Sequence, residues 1–320
     1  MKPAAPLLGI PTREDLLAAH QRIAPYIHET PVLTSRSFDD RVGTSVHFKG
    51  EHLQKTGAFK ARGAMNAVLV YAEQARGRGF ITHSSGNHGA ALAWAARQIG
   101  ERATIVMPTN APKTKIEAVR SYGGSVVFCE PTQSAREATA AQVQLETGGT
   151  LVHPYNDYNI IAGQATATME LLLAYPHLEQ LYVPVGGGGL LAGAALANLY
   201  FGRAEVIGCE PEVANDAYLS FTTGTWHPVQ STRTVADGLR TALGEKNLEI
   251  IKSHVSRIVL VSEEEIAEGW SYIISRMKQW IEPSAGTGPA AVFKDLPRGA
   301  TGILLCGGNG DIPSILSESN

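Results

Sequence analysis

Short apolar runs rich in β-branched residues alternate along the chain with segments in which apolar side chains recur at helical spacing. The runs predict strands at residues 46–49, 80–83, 103–107, 125–129, 181–185, 205–208, 257–261 and 301–305. The helical spacing predicts helices at residues 61–74, 89–99, 113–122, 134–146, 160–174, 190–200 and 263–280. Strand and helix in alternation are typical of parallel sheets with helices on both faces, so we expect an α/β protein.

The close succession of short elements between residues 80 and 154 indicates a domain boundary. We read four strand–helix units there and expect them to form a small α/β domain, residues 79–155. It would be inserted into a large domain made of residues 1–78 and 156–320, giving two open, mostly parallel, twisted sheets. Because open α/β sheets bind ligands at the carboxyl ends of their strands, the strand-to-loop junctions are the places to look for chemistry.

Composition narrows the classes of function. Lys plus Arg number 27 and Asp plus Glu number 30, and a net charge of −3 is too weak to indicate a nucleic-acid binder or a polybasic membrane-surface protein. No apolar run reaches the roughly 20 residues that span a bilayer. Cys129, Cys209 and Cys306 lack the spacing of a zinc site or a disulfide framework. We expect a cytoplasmic protein that acts on a small molecule.

A lysine stands in the first turn of one predicted helix, where Gly57 and Gly63 bracket Lys60. The positive end of the helix dipole lowers the pKa of such a lysine and favours the neutral amine that Schiff-base chemistry needs. Taken alone, the spacing fits an ordinary surface lysine better.

The segment from His83 to Gly89, HSSGNHG, joins a predicted strand to a predicted helix. Its small polar residues leave backbone N–H groups unpaired at a helix start, and such groups bind anions. A substrate carboxylate would fit, and an N-cap without a ligand is the alternative.

Four consecutive glycines, residues 186–189, follow another predicted strand. Ordering four glycines costs backbone entropy, so a structural role alone explains them poorly. A phosphate site would explain them, because glycine N–H groups can close around a phosphate at a helix start. A dinucleotide site is the alternative, because Gly187, Gly189 and Ala192 fit the relaxed Rossmann spacing. The loop lies in the middle of the chain and not after a first strand, which favours the phosphate site.

Six motifs occur in a fixed order along the chain. They are residues 54–64 (QKTGAFKARGA), 84–89 (SSGNHG), 186–189 (GGGG), 236–238 (ADG), 282–286 (EPSAG) and 306–309 (CGGN). Together they resemble the fold-type II pyridoxal phosphate (PLP) enzymes, and within them the threonine/serine dehydratases and serine racemases. The resemblance runs from about residue 15 to about residue 315 and implies functional roles for Lys60 and Cys306.

The resemblance implies a role for each matching residue. Lys60 would form the Schiff base with PLP and then act as the base at the substrate Cα. In the racemase branch, the residue that matches Ser85 is the base on the opposite face. Implied PLP contacts are Phe59, Lys60, Asn87, Gly186, Gly187, Gly188, Gly189, Gly238, Glu282 and Cys306. Implied substrate contacts are Ser84, Ser85, Asn87, His88 and Tyr155.

The reaction implied by the resemblance is dehydration of threonine or serine to a 2-oxo acid and ammonia. A serine racemase, or a 3-hydroxyaspartate dehydratase or racemase, is the alternative, because these reactions share the removal of the Cα proton. An NAD-linked oxidoreductase and a non-catalytic amino-acid sensor also stay open. Tyr155 stands where mammalian racemases carry asparagine, which favours a dehydratase.

A metal site and an oligomeric state are implied as well. Glu210, Ala214 and Asp216 match the divalent-cation site of the racemase branch, where two carboxylates and a backbone carbonyl bind Mg or Ca. A solvated acidic loop is the alternative. The family implies a homodimer. The short segment after the last motif leaves no room for the regulatory domain of biosynthetic threonine dehydratases, so isoleucine inhibition is not expected.

Overall fold

Ten strands and twelve α-helices alternate along residues 5–84 and 86–310, the part of the chain that the computed structural model describes. The strands are β1 (Val32–Leu33), β2 (Val46–Lys49), β3 (Phe80–His83), β4 (Ala103–Pro108), β5 (Ser125–Cys129), β6 (Thr150–Leu151), β7 (Gln180–Pro184), β8 (Glu205–Pro211), β9 (Arg257–Val261) and β10 (Thr301–Leu304). The helices are α1 (Arg13–Ile23), α2 (Arg36–Val42), α3 (Lys60–Ala75), α4 (Asn87–Gln98), α5 (Lys113–Ser121), α6 (Gln133–Thr147), α7 (Tyr158–Ala174), α8 (Gly189–Phe201), α9 (Asp216–Thr223), α10 (Glu245–His254), α11 (Glu263–Tyr272) and α12 (Thr287–Asp295).

The larger sheet has six strands in the order β1-β2-β10-β7-β8-β9. All neighbouring strands are parallel except β1, which is antiparallel to β2. In the register of the central strands, Ile303 lies between Phe48 and Tyr182. The carboxyl ends of β2, β10 and β7 therefore meet along one edge. The segment that leads to Lys60, the cysteine of residue 306 and the glycine loop all start from that edge.

The smaller sheet has four parallel strands in the order β5-β4-β3-β6. All four come from residues 80–151, so this sheet is continuous in sequence while the larger one is not. The segment holds three strand–helix units closed by β6, where the sequence predicted four. The α/β class with two mostly parallel sheets is confirmed, and the domain boundaries at residues 79–155 stay a prediction.

Local sequence explains where several helices begin and end. Thr12 and Asp15 form a capping box at the start of α1, and Asp157 caps α7 by accepting from the N–H groups of Asn159 and Ile160. Gly148 ends α6 in the left-handed conformation, with φ 65°. Helices α7 and α8 are buried on nearly every side and pack at the centre of the larger core. No helix within the described ranges is long and apolar enough to cross a membrane.

The structure corrects the longest predicted helix, residues 263–280. Helix α11 ends at Tyr272, a π-helical turn covers Ile273–Met277, and Lys278 then takes a left-handed conformation with φ 59°. The sequence missed β1 and β6, because two-residue strands carry no periodic signal. It also missed five helices: α1, α2, α9, α10 and α12.

Candidate active site

A cavity of about 290 Å³ lies between the two sheets and is lined by residues from both. The sequence-predicted residues that line it are Phe59, Lys60, Ser84, Asn87, His88, Tyr155, Gly186, Gly187, Gly188, Gly189, Gly238, Glu282 and Cys306. Ser85 is outside the described residues. The structure thus brings the described members of six separate sequence motifs to one place, and their individual roles stay predictions.

Lys60 is the first residue of α3, and the two residues before it pair through their backbone with the segment that follows the last strand. The Phe59 N–H donates to the Cys306 carbonyl at 3.0 Å, and Ala58 forms an antiparallel bridge with Gly307. The Lys60 Nζ donates to the Pro154 carbonyl at 2.9 Å. Burial lowers the pKa of Lys60 to about 8. A substantial fraction of the lysine is therefore neutral near physiological pH.

The glycine loop joins β7 to α8 at the floor of the cavity. All four glycines are buried, and their N–H groups have no hydrogen-bond partner among the described residues. A Cβ on Gly187 would lie 2.4 Å from the Tyr155 ring. Gly188 has φ 90°, and a Cβ there would lie 2.4 Å from Leu243. Buried, unpaired N–H groups at a helix start suit the phosphate of PLP, so this loop fits the predicted cofactor.

A buried polar cluster stands at the end of β10. Burial raises the pKa of the Cys306 thiol well above its ordinary value, so the residue is a neutral thiol. Glu282 is also buried, and burial raises its pKa. Asn87 Nδ2 donates to both carboxylate oxygens of Glu282, at 3.1 and 3.0 Å. The Asn87 Oδ1 in turn accepts from Asn309 Nδ2 at 3.0 Å. These bonds fix the orientation of the Asn87 amide.

Three histidines, His83, His88 and His153, lie close together on the side of the cavity formed by the smaller sheet, and two of them, His88 and His153, interact electrostatically with Lys60. The rings of His83 and His153 are 5.2 Å apart, and His88 is buried beside them. Burial lowers the pKa of His88 well below its ordinary value and that of His153 to about 3, with the neighbouring imidazoles and Lys60 adding to both effects. The three rings are neutral at physiological pH. Sequence analysis named His83 only as the start of the HSSGNHG segment and missed His153. The two rings meet because His83 ends β3 and His153 follows β6, and these strands are adjacent in the smaller sheet.

Two cations from the smaller sheet's helices also line the cavity, and sequence analysis missed both. Lys115 of α5 forms an ion pair with Asp237 on the opposite wall. Arg136 of α6 is half-buried, and its guanidinium has no ion pair or hydrogen bond among the described residues. An unpaired, half-buried guanidinium offers a fork of N–H donors to an anionic group of a ligand.

The predicted metal ligands lie outside the cavity but close to one another. Glu210 accepts from the N–H groups of Ala217 and Tyr218 at 2.8 Å each, and Asp216 accepts from the Leu243 N–H at 2.8 Å. Burial raises the pKa of Glu210 well above its ordinary value and that of Asp216 to about 6.

No basic side chain of the described chain pairs with either of these two carboxylates. Two buried carboxylates without a counter-charge fit a hard divalent cation. The described residues contain no group of three or more metal-ligating side chains, so a further protein ligand would be a backbone carbonyl, as predicted for Ala214.

Comparison with known proteins assigns this arrangement to a family. Residues 23–307 match the family described as "Pyridoxal-phosphate dependent enzyme". The chain is 42% identical over 310 residues to the beta-hydroxyaspartate dehydratase of Paracoccus denitrificans, covering 96% of this chain and 98% of that one. It is 41% identical over 308 residues to the L-threo-3-hydroxyaspartate ammonia-lyase of Saccharomyces cerevisiae, covering 95% and 94%.

Solved structures show the same architecture. Maize serine racemase superposes with a TM-score of 0.93 at 37% identity, covering 96% of each chain. The threonine deaminase of T.th. superposes with a TM-score of 0.89 at 42% identity, covering 94% of this chain and 99% of that one.

Proposed function

The chain belongs to the pyridoxal-phosphate dependent enzymes, and from that premise we propose that it is an ammonia-lyase acting on 3-hydroxyaspartate. Its relatives are ammonia-lyases and racemases of small amino acids. The reaction would convert the substrate to oxaloacetate, a 2-oxo acid with two carboxylates, and ammonia.

Arg136 carries the choice of substrate. It lines the same cavity as Lys60, and its guanidinium has no partner among the described residues. A half-buried cation of this kind is favourable where a carboxylate arrives to bind it, and the guanidinium fork matches a carboxylate in two parallel hydrogen bonds. 3-Hydroxyaspartate brings a second carboxylate, whereas serine and threonine do not. Two relatives of this chain are named for the same substrate.

The chain's own residues support each part of this chemistry. Bound PLP draws electrons from the substrate Cα and makes its proton acidic. The glycine loop holds the phosphate through its N–H groups, and the start of α4 at Asn87 holds the α-carboxylate. Lys60 Nζ, a substantial fraction of which is neutral because burial lowers its pKa to about 8, accepts the Cα proton. Cys306, a neutral thiol, places no negative charge at the end of β10.

Dehydration of threonine or serine is the second candidate. Its support is that three prolines, Pro108, Pro131 and Pro154, are among the residues that line the cavity, and their apolar rings suit a substrate with a methyl group or a hydrogen at the β-carbon. The ion pair of Lys115 with Asp237 is neutral overall and needs no charged ligand. Racemisation of serine would need a second base on the other face of the substrate, and the residue proposed for it, Ser85, is outside the described residues.

We further propose a structural Mg or Ca at Glu210, Ala214 and Asp216. Its support is that the two carboxylates are buried and have no counter-charge in the part of the chain that the structure describes. The homodimer and the cytoplasmic location stay predictions from the family resemblance and from composition.

A panel of L- and D-serine, threonine and the stereoisomers of 3-hydroxyaspartate tests the substrate, with oxo acid, ammonia and enantiomer all measured. We expect one 3-hydroxyaspartate isomer to be preferred. Arg136→Met should lower kcat/KM for it by about 100-fold, the loss expected for charge-assisted hydrogen bonds made to the substrate. Activity on serine should change little, because serine has no second carboxylate.

Arg240→Met is the matched control, because Arg240 also lines the cavity but already donates to the Thr234 carbonyl. It should leave the preference between the two substrates unchanged. A higher kcat/KM for serine or threonine than for every 3-hydroxyaspartate isomer would contradict the proposal. So would an enantiomer as the main product.

A further inference from the structure

Asn247 of α10 joins two loops that border the cavity, although it does not line the cavity itself. Its side chain is fully buried. The Nδ2 amide donates to the Gly187 carbonyl at 2.6 Å and to the Tyr155 carbonyl at 3.1 Å. One side chain therefore holds a peptide of the glycine loop and a peptide of the segment after β6 at the same time.

The orientation of this amide is fixed by its surroundings. Asn247 Oδ1 is buried and has no hydrogen-bond partner among the described residues. The opposite orientation would point this oxygen at the carbonyls of Gly187 and Tyr155, where oxygen would face oxygen. Burying an unpaired carbonyl oxygen costs free energy. What Asn247 contributes at this position is therefore its two N–H donors.

Both carbonyls belong to peptides that the proposed chemistry needs. Gly187 lies within the glycine loop, which lines the cavity and whose N–H groups have no partner among the residues that the structure describes. Tyr155 directly follows Pro154, whose carbonyl accepts the hydrogen bond from Lys60 Nζ at 2.9 Å. The two hydrogen bonds of Asn247 therefore connect the glycine loop to the segment whose carbonyl holds the Lys60 amine.

The start of α10 reinforces the same connection. The Gly244 N–H also donates to the Gly187 carbonyl at 3.1 Å, and the Lys246 N–H donates to Asn156 Oδ1 at 3.0 Å. Gly188 packs directly on the asparagine, because a Cβ there would lie 2.9 Å from the Asn247 Cβ. The loop has no room to shift toward α10.

We propose that Asn247 is a positioning residue that holds the glycine loop and the Pro154–Tyr155 peptides in one arrangement, so that the phosphate and the aldehyde of PLP reach their partners together. N–H groups that are already convergent lose little freedom when the phosphate binds. Loss of the Asn247 donors should leave the lysine reactive but weaken the preference of the protein for a phosphorylated cofactor.

The test compares cofactor affinities in cofactor-free chains. Asn247→Leu keeps the approximate volume and removes the donors. We expect its dissociation constant for PLP to rise by about tenfold to 100-fold, the range found when supporting hydrogen bonds of metal ligands are removed. The affinity for pyridoxal, which lacks the phosphate, should stay as in the wild type. The ³¹P chemical shift of bound PLP should move, which a loss of stability alone does not cause.

Asn198→Leu is the matched control. Asn198 also donates through Nδ2 to a backbone carbonyl, that of Ala204 at 2.8 Å, but at the far end of α8. Its variant should keep the wild-type affinity and ³¹P shift. Asn247→Asp, which has the same shape but places an acceptor against both carbonyls, should lose at least as much PLP affinity as the leucine variant.

A measurement on the wild type needs no variant to fold. The side-chain amide NMR signal of Asn247 should shift when inorganic phosphate binds to the cofactor-free chain. The proposal is overturned if that signal is unmoved at saturating phosphate, or if the variants bind PLP as the wild type does. Equal losses of affinity for PLP and pyridoxal would also overturn it. None of these outcomes depends on which amino acid is the substrate.

Discussion

The Nζ of Lys60 lies 2.9 Å from the carbonyl oxygen of Pro154 and donates a hydrogen bond to it. This bond joins the first turn of α3 to the segment that follows β6 of the smaller sheet. The residues just before α3 in turn pair with the segment just after β10, where Ala58 bridges Gly307. The amine is thereby held at the boundary between the two sheets. A carbonyl accepts from a neutral or a protonated amine, so the bond fixes position while burial sets the pKa to about 8.

The reactivity of Lys60 should therefore follow a low pKa. Only the neutral amine attacks an aldehyde, so the rate at which Lys60 of the cofactor-free chain captures PLP should rise with pH through a midpoint of about 8. Borohydride trapping at a series of pH values, followed by peptide mass mapping, measures this rate.

The peptide of residues 54–64 free in solution is the control, because it lacks the burial that lowers the pKa. Its lysines should show the midpoint of an ordinary amine, near 10.4 on the usual scale, about two units higher. If the midpoint pH for Lys60 in the folded chain equals that of the free peptide, burial does not activate the lysine. If the adduct maps to another lysine, the site is wrong.

Most strands and the longer helices could be predicted from sequence patterns, because apolar runs and helical spacing are local signals that do not depend on tertiary contacts. Strands β2, β3, β5 and β9 begin and end where the pattern predicted. The break after Tyr272 was not visible in sequence, since no glycine or proline marks the π-helical turn of residues 273–277. Such a break is set by what the helix packs against, and a one-dimensional pattern does not contain that information.

The site shows the same division. Lys60 and the glycine loop stand in short motifs, so sequence reasoning could propose them. Arg136 lies within an ordinary amphipathic helix, and only the fold places it in the cavity. Asn247 likewise has no motif around it, and its importance comes from two carbonyls that are 60 and 92 residues away along the chain. Contacts of this range follow from the sheet order, which sequence analysis did not fix.

A divalent cation should stabilise the protein through the Glu210 and Asp216 carboxylates. Both are buried, and no basic side chain within residues 5–84 and 86–310 pairs with either. A cation that binds only the folded state raises the free energy of unfolding by about 2.7 kcal/mol at a concentration 100 times its dissociation constant. Adding Mg or Ca to chelator-treated protein should raise the melting temperature, and the chelator should reverse the change.

Asp216→Asn should abolish the effect of the cation on the melting temperature. Asp39→Asn is the control, because Asp39 is a carboxylate that accepts from a backbone N–H elsewhere, that of Val46 at 2.9 Å. It should leave the effect intact. If neither Mg nor Ca changes the melting temperature of the wild type, these carboxylates hold no cation.

Arg62, two residues after Lys60 on α3, should be among the strongest single contributors to stability. Its guanidinium is fully buried and donates to both carboxylate oxygens of Glu51 at 2.8 Å and to both of Glu170 at 2.6 and 2.8 Å. Lys49 donates to Glu170 as well, at 2.7 Å, so two bases balance two acids. Arg62→Met leaves the acids with one base, and removing one member of a buried charge group costs about 3–5 kcal/mol.

The matched variant is Arg257→Met, which removes a guanidinium from an ion-pair group at the surface. Arg257 is 38% exposed and pairs with Glu205 at 3.1 Å and Asp295 at 2.5 Å. Exposed pairs contribute at most about 1 kcal/mol, because water and salt screen them. Urea unfolding of the two variants should therefore differ by several-fold in the loss of free energy. Equal losses would mean that burial does not set the value of the Arg62 contacts, and that α3 is held at the cavity by its apolar packing instead.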